Sequence, residues 1–332
     1  MIKKLLPLIL LVIIPLTACS NSSPKKVEEE NTSTDPVVSE QKYYSPYTGE
    51  EVSEQVLNNK PYMVIVENSS SSRPQSGLSG ADIIYETMAE GGIPRFIALF
   101  HKNSVEKIGP VRSARPYFIS IAKDINLPFA HCGGSQEALD TIAKDPTYMS
   151  INEMAQGSYF SRDNKRKAPH NLYTSSEKLL KYINDKKLSY TPNNSLVFSN
   201  EYWDNSLLDP LDRIVLKLNK YYSTSYVFKD GYYVKSMDGT EAIDTNTNQA
   251  LKFTNIVIQK TNIVTREDGR LNIKLDGSGE AYVLSKGKIV KGTWRKDSSK
   301  TMLLDSNNTE IPLSKGNTIW HIISNDVTIP IE

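Results

Sequence analysis

An α+β protein is expected from this sequence, with a mixed α/β domain over residues 43–192 and a mainly antiparallel, β-rich domain over residues 193–332. Up to about residue 190, β-branched apolar runs alternate with segments that open on a helix-capping serine, the mark of alternating strands and helices. After Pro192 the helix signals fade, and short alternating runs are separated by Asp-Gly and other glycine turns, as in an antiparallel sheet.

The chain opens with Lys3 and Lys4 ahead of an almost wholly apolar run from Leu5 to Leu16, the pattern of a signal peptide over residues 1–18. A membrane-spanning helix needs about 20 apolar residues, more than this run supplies, and Pro7 and Pro15 weaken it further. Leu16, Thr17, Ala18 and Cys19 then match a bacterial lipobox, whose cysteine thiol takes a diacylglycerol. Lipid on Cys19 would hold the protein on the outer face of a membrane, because two or three acyl chains at about 0.8 kcal/mol per buried methylene outlast one. Residues 19–42 are rich in Asn, Ser, Thr, Pro, Glu and Lys without periodicity and read as a disordered tether. At roughly 3 Å per extended residue it reaches tens of ångströms, far enough to enter a cell wall.

Order begins with Pro61 to Val66, a β-branched run that reads as a strand, followed by a loop of Asn68 and serines. Asp82 to Ala89 and Arg95 to Phe100 read as strands joined by Glu90-Gly91-Gly92-Ile93-Pro94, a hairpin signal. Ser113 and Ser135 stand as N-caps before helical stretches ending near Ile125 and Lys144, and a third helix runs from Ser175 or Ser176 to Ile183. In the second domain, strands are expected at Ile214 to Leu218, Tyr226 to Phe228, Asn255 to Gln259, Tyr282 to Leu284, Thr293-Trp294 and Thr318 to Trp320. Turns separate them at Asp276-Gly277, Lys286-Gly287-Lys288 and Lys315-Gly316-Asn317.

Composition narrows the function. Two cysteines occur, and once Cys19 carries lipid Cys132 has no partner, so stability must come from burial rather than disulfides. Removing Lys3 and Lys4 from the 39 cations, against 38 anions, leaves a formal charge of −1, which attracts neither nucleic acid nor an anionic membrane. The four histidines, His101, His131, His170 and His321, lack metal-ligand spacing, and no nucleotide-binding glycine loop or GxSxG elbow is present. No metal and no cofactor is expected.

Three polar segments of the first domain are candidates for chemistry. Gly109-Pro110-Val111-Arg112-Ser113-Ala114-Arg115-Pro116 lies between a strand and a helix, where a helix N-terminus and two arginines can hold an anion. The same arginines could instead pair with Glu86 or Glu90 and lock the domain together. Ala130-His131-Cys132-Gly133-Gly134-Ser135 is a second strand-to-helix junction, whose glycines allow close backbone approach to a ligand. There His131 is a candidate base and Ser135 or Cys132 a candidate nucleophile, although strand neighbours point to opposite faces and a buried, inert thiol is the default for Cys132. The third is the loop from Arg162 to Asn171, in which Asp163 and His170 have the chemistry of an acid/base pair, against the ordinary reading of its basic run as solvated surface. Arg73-Pro74-Gln75-Ser76-Gly77 forms a further polar loop, and Trp294 and Trp320 could stack on sugar rings, with core packing the default.

These segments resemble the YerB-type family of bacterial lipoproteins, whose two domains have no known function. The resemblance is carried by Arg73-Pro74-Gln75-Ser76-Gly77-Leu78, Ala81-Asp82, Glu86, Glu90-Gly91, Arg95, the string from Gly109 to Arg115, and Ala168-Pro169-His170-Asn171-Leu172-Tyr173. In the second domain it rests on Gly279, Gly287-Lys288, Gly292-Thr293-Trp294 and Trp320. It covers nearly everything from Lys60 onward and implies a two-domain architecture, a Gram-positive envelope and the outer face of the cytoplasmic membrane, but no activity.

Enzyme and binder both stay open. In the first reading the protein binds or scaffolds in the cell envelope, holding an anionic or glycan ligand such as a cell-wall polymer on Arg73, Arg95, Arg112, Ser113, Arg115, Ser135, Arg162 and Asn171, with His170 beside them. In the second it is a cell-wall hydrolase or transferase using Asp163, His170 and Glu86 as acid/base groups. In the third it recruits an envelope protein through its β-rich domain.

Overall fold

The β-branched run after Pro61 becomes the strand Tyr62–Glu67, buried on both faces, as expected of a strand inside a covered sheet. The computed structural model describes residues 41–330 apart from Ser195 and Ser299. The segments expected to be a signal peptide and a tether, with Cys19, lie up to residue 40 outside the described residues.

Ile83–Met88 and Pro94–Phe100 form the expected hairpin, with Ile83 opposite Leu99 and Met88 opposite Pro94. The chain reverses through Gly91 and Gly92, both at φ +68°, a backbone region that costs glycine nothing. These strands belong to an 11-stranded sheet. Its order is Asp209–Pro210, Lys288–Asp297, Gly277–Ser285, Asn255–Thr261, Thr318–Ser324, Ile83–Met88, Pro94–Phe100, Tyr62–Glu67, Phe129–His131 and Ser150–Asn152, with Lys300–Leu304 added to Lys288–Asp297. The fold is α+β, and the expected boundary at residue 192 does not interrupt the sheet. Thr318–Ser324 runs parallel between Asn255–Thr261 and Ile83–Met88, with Trp320 opposite Tyr85 and His321 opposite Glu86.

Both faces of the sheet are covered. Met63, Ile65, Ile97 and Leu99 pack under the helix Pro116–Ile125, which buries Tyr117, Phe118, Ile119, Ile121 and Ala122. On the opposite face Val64, Val66, Phe96 and Ala98 share a core with the helix Ser176–Asp185 and a second sheet. That sheet is built on Arg213–Lys217, Ser223–Lys229 and Tyr232–Met237, extended by Thr240–Glu241 and Lys252–Phe253. Each fully buried Val, Leu, Ile or Phe contributes roughly 1.5–3 kcal/mol relative to exposure, so the two cores dominate stability. Trp294 and Trp320 are core residues, 1% and 3% exposed, and their indole N–H groups donate to Lys260 O and Gln259 Oε1.

Ser135 caps the helix Gln136–Lys144 as expected, and Ser175 caps Ser176–Asp185, each accepting a backbone N–H from the first turn. Ser113 does not act as a cap: the helix starts at Pro116, and Arg115 occupies the cap position without a side-chain bond to the first turn. Residues 111–115 are held extended instead, because Ala114 N donates to Gly133 O and Ser135 N to Ala114 O. Pro116 then suits the first helical position, where no N–H is required.

Along Tyr232–Met237 buried positions alternate, so Lys235 points inward between Tyr233 and Met237. Its ammonium is fully buried and donates to Glu86 Oε2 at 2.8 Å, Thr224 Oγ1 at 2.7 Å and Tyr226 Oη at 2.8 Å, which uses all three of its N–H groups. Burial lowers the lysine pKa and the Glu86 charge counters it. Asn68 Nδ2 donates to the other Glu86 oxygen at 2.8 Å, and His321 Nε2 meets Tyr226 Oη at 2.7 Å. Burial, then the Lys235 charge, holds His321 neutral with its pKa well below the ordinary value.

Candidate functional site

The parallel strands Tyr62–Glu67, Phe129–His131 and Ser150–Asn152 end on one edge of the sheet, where the antiparallel Pro94–Phe100 begins. Open α/β sheets place ligands outside the carboxyl ends of their parallel strands. The segment from Gly109 to Arg115 is laid across this edge, with Arg112 N donating to Ile65 O and Cys132 N to Arg112 O. Gly109 is demanded by a close approach: a Cβ there would sit 2.8 Å from Leu172 O.

Three guanidiniums meet on this edge. Arg95 lies opposite Glu67 in the register and is 7% exposed. Its Nη1 donates to Ser113 O at 3.0 Å, while its buried Nε has no acceptor among the described residues. Burial, then the neighbouring Arg115 charge, brings its pKa down to about 10. Arg115 donates through Nε to Glu90 and through Nη1 to Ala114 O. Burial alone would raise the Glu90 pKa, but the bond and charge of Arg115 hold it below the ordinary value. Arg112 Nε is 3.2 Å from Glu67 Oε2, an ion-pair distance, yet this buried atom makes no hydrogen bond. Tyr117, at the start of the helix, has a buried hydroxyl without a partner among the described residues; burial, then Glu90, raises its pKa. The expected pairing of these arginines with Glu90 is thus present for Arg115, whereas Glu86 is occupied elsewhere and Arg112 turns to Glu67.

Glu67 organises the rest of the edge. Its Oε2 meets His170 Nδ1 at 2.7 Å, its Oε1 accepts from Ser69 Oγ at 3.1 Å, and His170 Nε2 lies 3.1 Å from Ser71 Oγ. Farther along, Arg162 bridges Asn171 Oδ1 and Glu153 Oε1, each at 3.1 Å, and Cys132 Sγ donates to Glu153 Oε2 at 3.2 Å. Burial, then Glu153, pushes the thiol up to about 11, so Cys132 stays protonated and unreactive.

Several expected participants stand apart. Asp163 does not pair with His170; it forms an ion pair with Lys107 and accepts Lys165 N, and the Lys107 bond lowers its pKa. The loop folds back so that Asp163 N meets Asn171 O, which leaves the carboxylate outside the edge. Glu86, 1% exposed, is enclosed with Lys235 and cannot reach a ligand as an acid or base. His131 is fully buried with Nδ1 on Gly133 O and Nε2 on Ser150 Oγ, both at 2.7 Å, and burial takes its pKa down to about 4, so it is a neutral structural residue. Ser135 Oγ is used as a helix cap. Arg73 binds Asn68 and Asp238 and lies over the Tyr222 ring, bracing the second sheet rather than facing the edge. Glu67, Glu153 and Tyr117 were not anticipated; a charged residue directly ending an apolar strand was the available signal for Glu67.

Residues 47–189 match the family model for the N-terminal domain of a protein of unknown function, DUF3048, and residues 213–320 match the C-terminal domain of the same family. The chain is 34% identical over 268 residues to "Putative lipoprotein YerB" of Bacillus subtilis strain 168, covering 77% of this chain and 78% of the relative. Its structure is similar to the crystal structure of the YerB protein from Bacillus subtilis, with a TM-score of 0.79 at 27% identity, covering 87% of this chain and 100% of that one.

Proposed function

The chain belongs to the DUF3048 family, and from that premise we propose that it is a lipid-anchored protein of the cell envelope that holds an anionic group on Arg95, Arg112 and Arg115. The name of its Bacillus subtilis relative and the lipobox ending in Cys19 support the anchor. One observation carries the ligand class: three guanidiniums converge on two carboxylates, and among the described residues Arg95 Nε and the Tyr117 hydroxyl are buried there without an acceptor, while buried Arg112 Nε makes no hydrogen bond although Glu67 lies 3.2 Å away. A buried donor left unpaired costs about 1–3 kcal/mol, and an anion, which only accepts, suits donors of this kind. Arg162 and Asn171 form the rim of the same edge.

Inorganic phosphate is expected to raise the melting temperature of the protein by mass action. Arg112→Ala and Arg115→Lys should weaken phosphate binding, measured by titration calorimetry, by about 10- to 100-fold, the worth of one charge-assisted hydrogen bond. No response to phosphate, acetate or a sugar phosphate would remove the reading.

A specific geometry favours a second reading. Ser71, His170 and Glu67 form a chain of nucleophile, base and orienting carboxylate at 3.1 and 2.7 Å, the order of an acyl hydrolase or transferase. Glu67 thereby takes the place expected of Asp163 and Glu86. A fluorophosphonate reagent should label the protein, with labelling abolished in Ser71→Ala and His170→Gln; an unlabelled wild type leaves anion binding alone.

A further inference from the structure

On the face of the sheet covered by Pro116–Ile125, a cleft of about 380 Å³ opens over the strands that join the two sequence regions. Its floor is Tyr85 and Trp320, register partners on Ile83–Met88 and Thr318–Ser324 whose rings lie 5.7 Å apart at 36°. None of the arginines of the carboxyl edge lines it. We infer that this cleft is a second binding site, taking a neutral, hydroxyl-rich ring of the sugar class.

Charge decides against an ion. The two charged groups on the wall are already paired, Asp124 with Lys296 at 2.6 Å and Lys300 with Glu310 at 3.3 Å. The free hydrogen-bonding capacity is neutral. The Tyr47 hydroxyl is buried and has no hydrogen-bond partner among the described residues. Gln259 Oε1 accepts from the Trp320 indole at 2.9 Å, which fixes the amide, and no described residue accepts from its nitrogen. The Tyr85 hydroxyl likewise has no bond to a described residue, and burial, then the Asp124 charge, raises its pKa, so it enters as a neutral donor and acceptor.

An acyl chain or a plain aromatic ring would cover the floor and strand these three groups, at a penalty for each. A sugar ring presents C–H groups to the aromatic and aliphatic floor and hydroxyls to the tyrosines and the amide, so both kinds of surface are matched. The volume falls at the lower end of the roughly 300–1,000 Å³ typical of small-molecule sites.

The test is titration calorimetry of the purified protein with maltotriose and with triacetylchitotriose. At least one is expected to bind, and Tyr47→Phe and Tyr85→Phe should each weaken it roughly three- to tenfold. Neither hydroxyl bonds to a described residue, so both variants should keep the wild-type melting temperature, which separates a contact to the sugar from a folding role. Phosphate titrated into the same variants should be unaffected, so this site and the arginine edge succeed or fail separately. No binding of either trisaccharide, or binding that ignores both substitutions, overturns the assignment.

Discussion

Replacing Lys235 with methionine is expected to destabilise the protein by about 3–5 kcal/mol, read as a lowered urea midpoint, although the new side chain is apolar and of similar length. The loss arises at Glu86. That carboxylate is 1% exposed and would keep only the Asn68 amide and a neutral His321 as neighbours, while Thr224 and Tyr226 lose the ammonium that joins them. A buried ion left without its partner is far more costly than the intact pair is stabilising. The double variant Lys235→Met with Glu86→Gln should therefore lose clearly less than the sum of the two single changes, a coupling that a double-mutant cycle reads directly. Simple additivity would show that Lys235 acts only through packing.

Trp203→Ala is expected to cost a similar amount, about 3–5 kcal/mol, with cavity formation as the cause. Trp203 lies on the short helix Asn200–Asp204, is fully buried, and donates its indole N–H to Pro312 O at 2.7 Å. The helix is also tied down at its carbonyls, since Lys288 Nζ binds Trp203 O at 2.7 Å and Lys286 Nζ binds Asn200 O at 3.2 Å. Trp203→Phe should recover much of the loss in chemical unfolding, because it restores most of the volume but leaves Pro312 O unpaired. Equal losses in the two variants would place the effect in the hydrogen bond rather than the cavity.

What could be seen in the sequence was local. Strand periodicity placed Tyr62–Glu67 and the hairpin before Phe100, and the Ser135 cap placed a helix, because those signals involve residues a few positions apart. Ser113 misled for a non-local reason: the bridge from Ala114 to Gly133 and Gly134 holds the segment extended. The candidate site shows the same division. Arg112 and Arg115 stood out within one string, but the partner of His170 is Glu67, 103 residues away, and no local pattern ties them together. Lys235 did leave a trace, as a lysine on the inward register of an alternating strand, and Glu86 matched it as an acid within an apolar run. Opposite charges isolated in the interiors of two strands are a readable sign of a buried pair.

The central position of Thr318–Ser324 fixes when folding can finish. Both of its neighbours, Asn255–Thr261 and Ile83–Met88, present open edges until it inserts between them, and such edges are templates for mispairing and aggregation. A polypeptide made N-terminus first delivers this strand after both of its neighbours. The keystone therefore arrives after the arch: synthesis must pass Ser324 before this gap in the sheet can close.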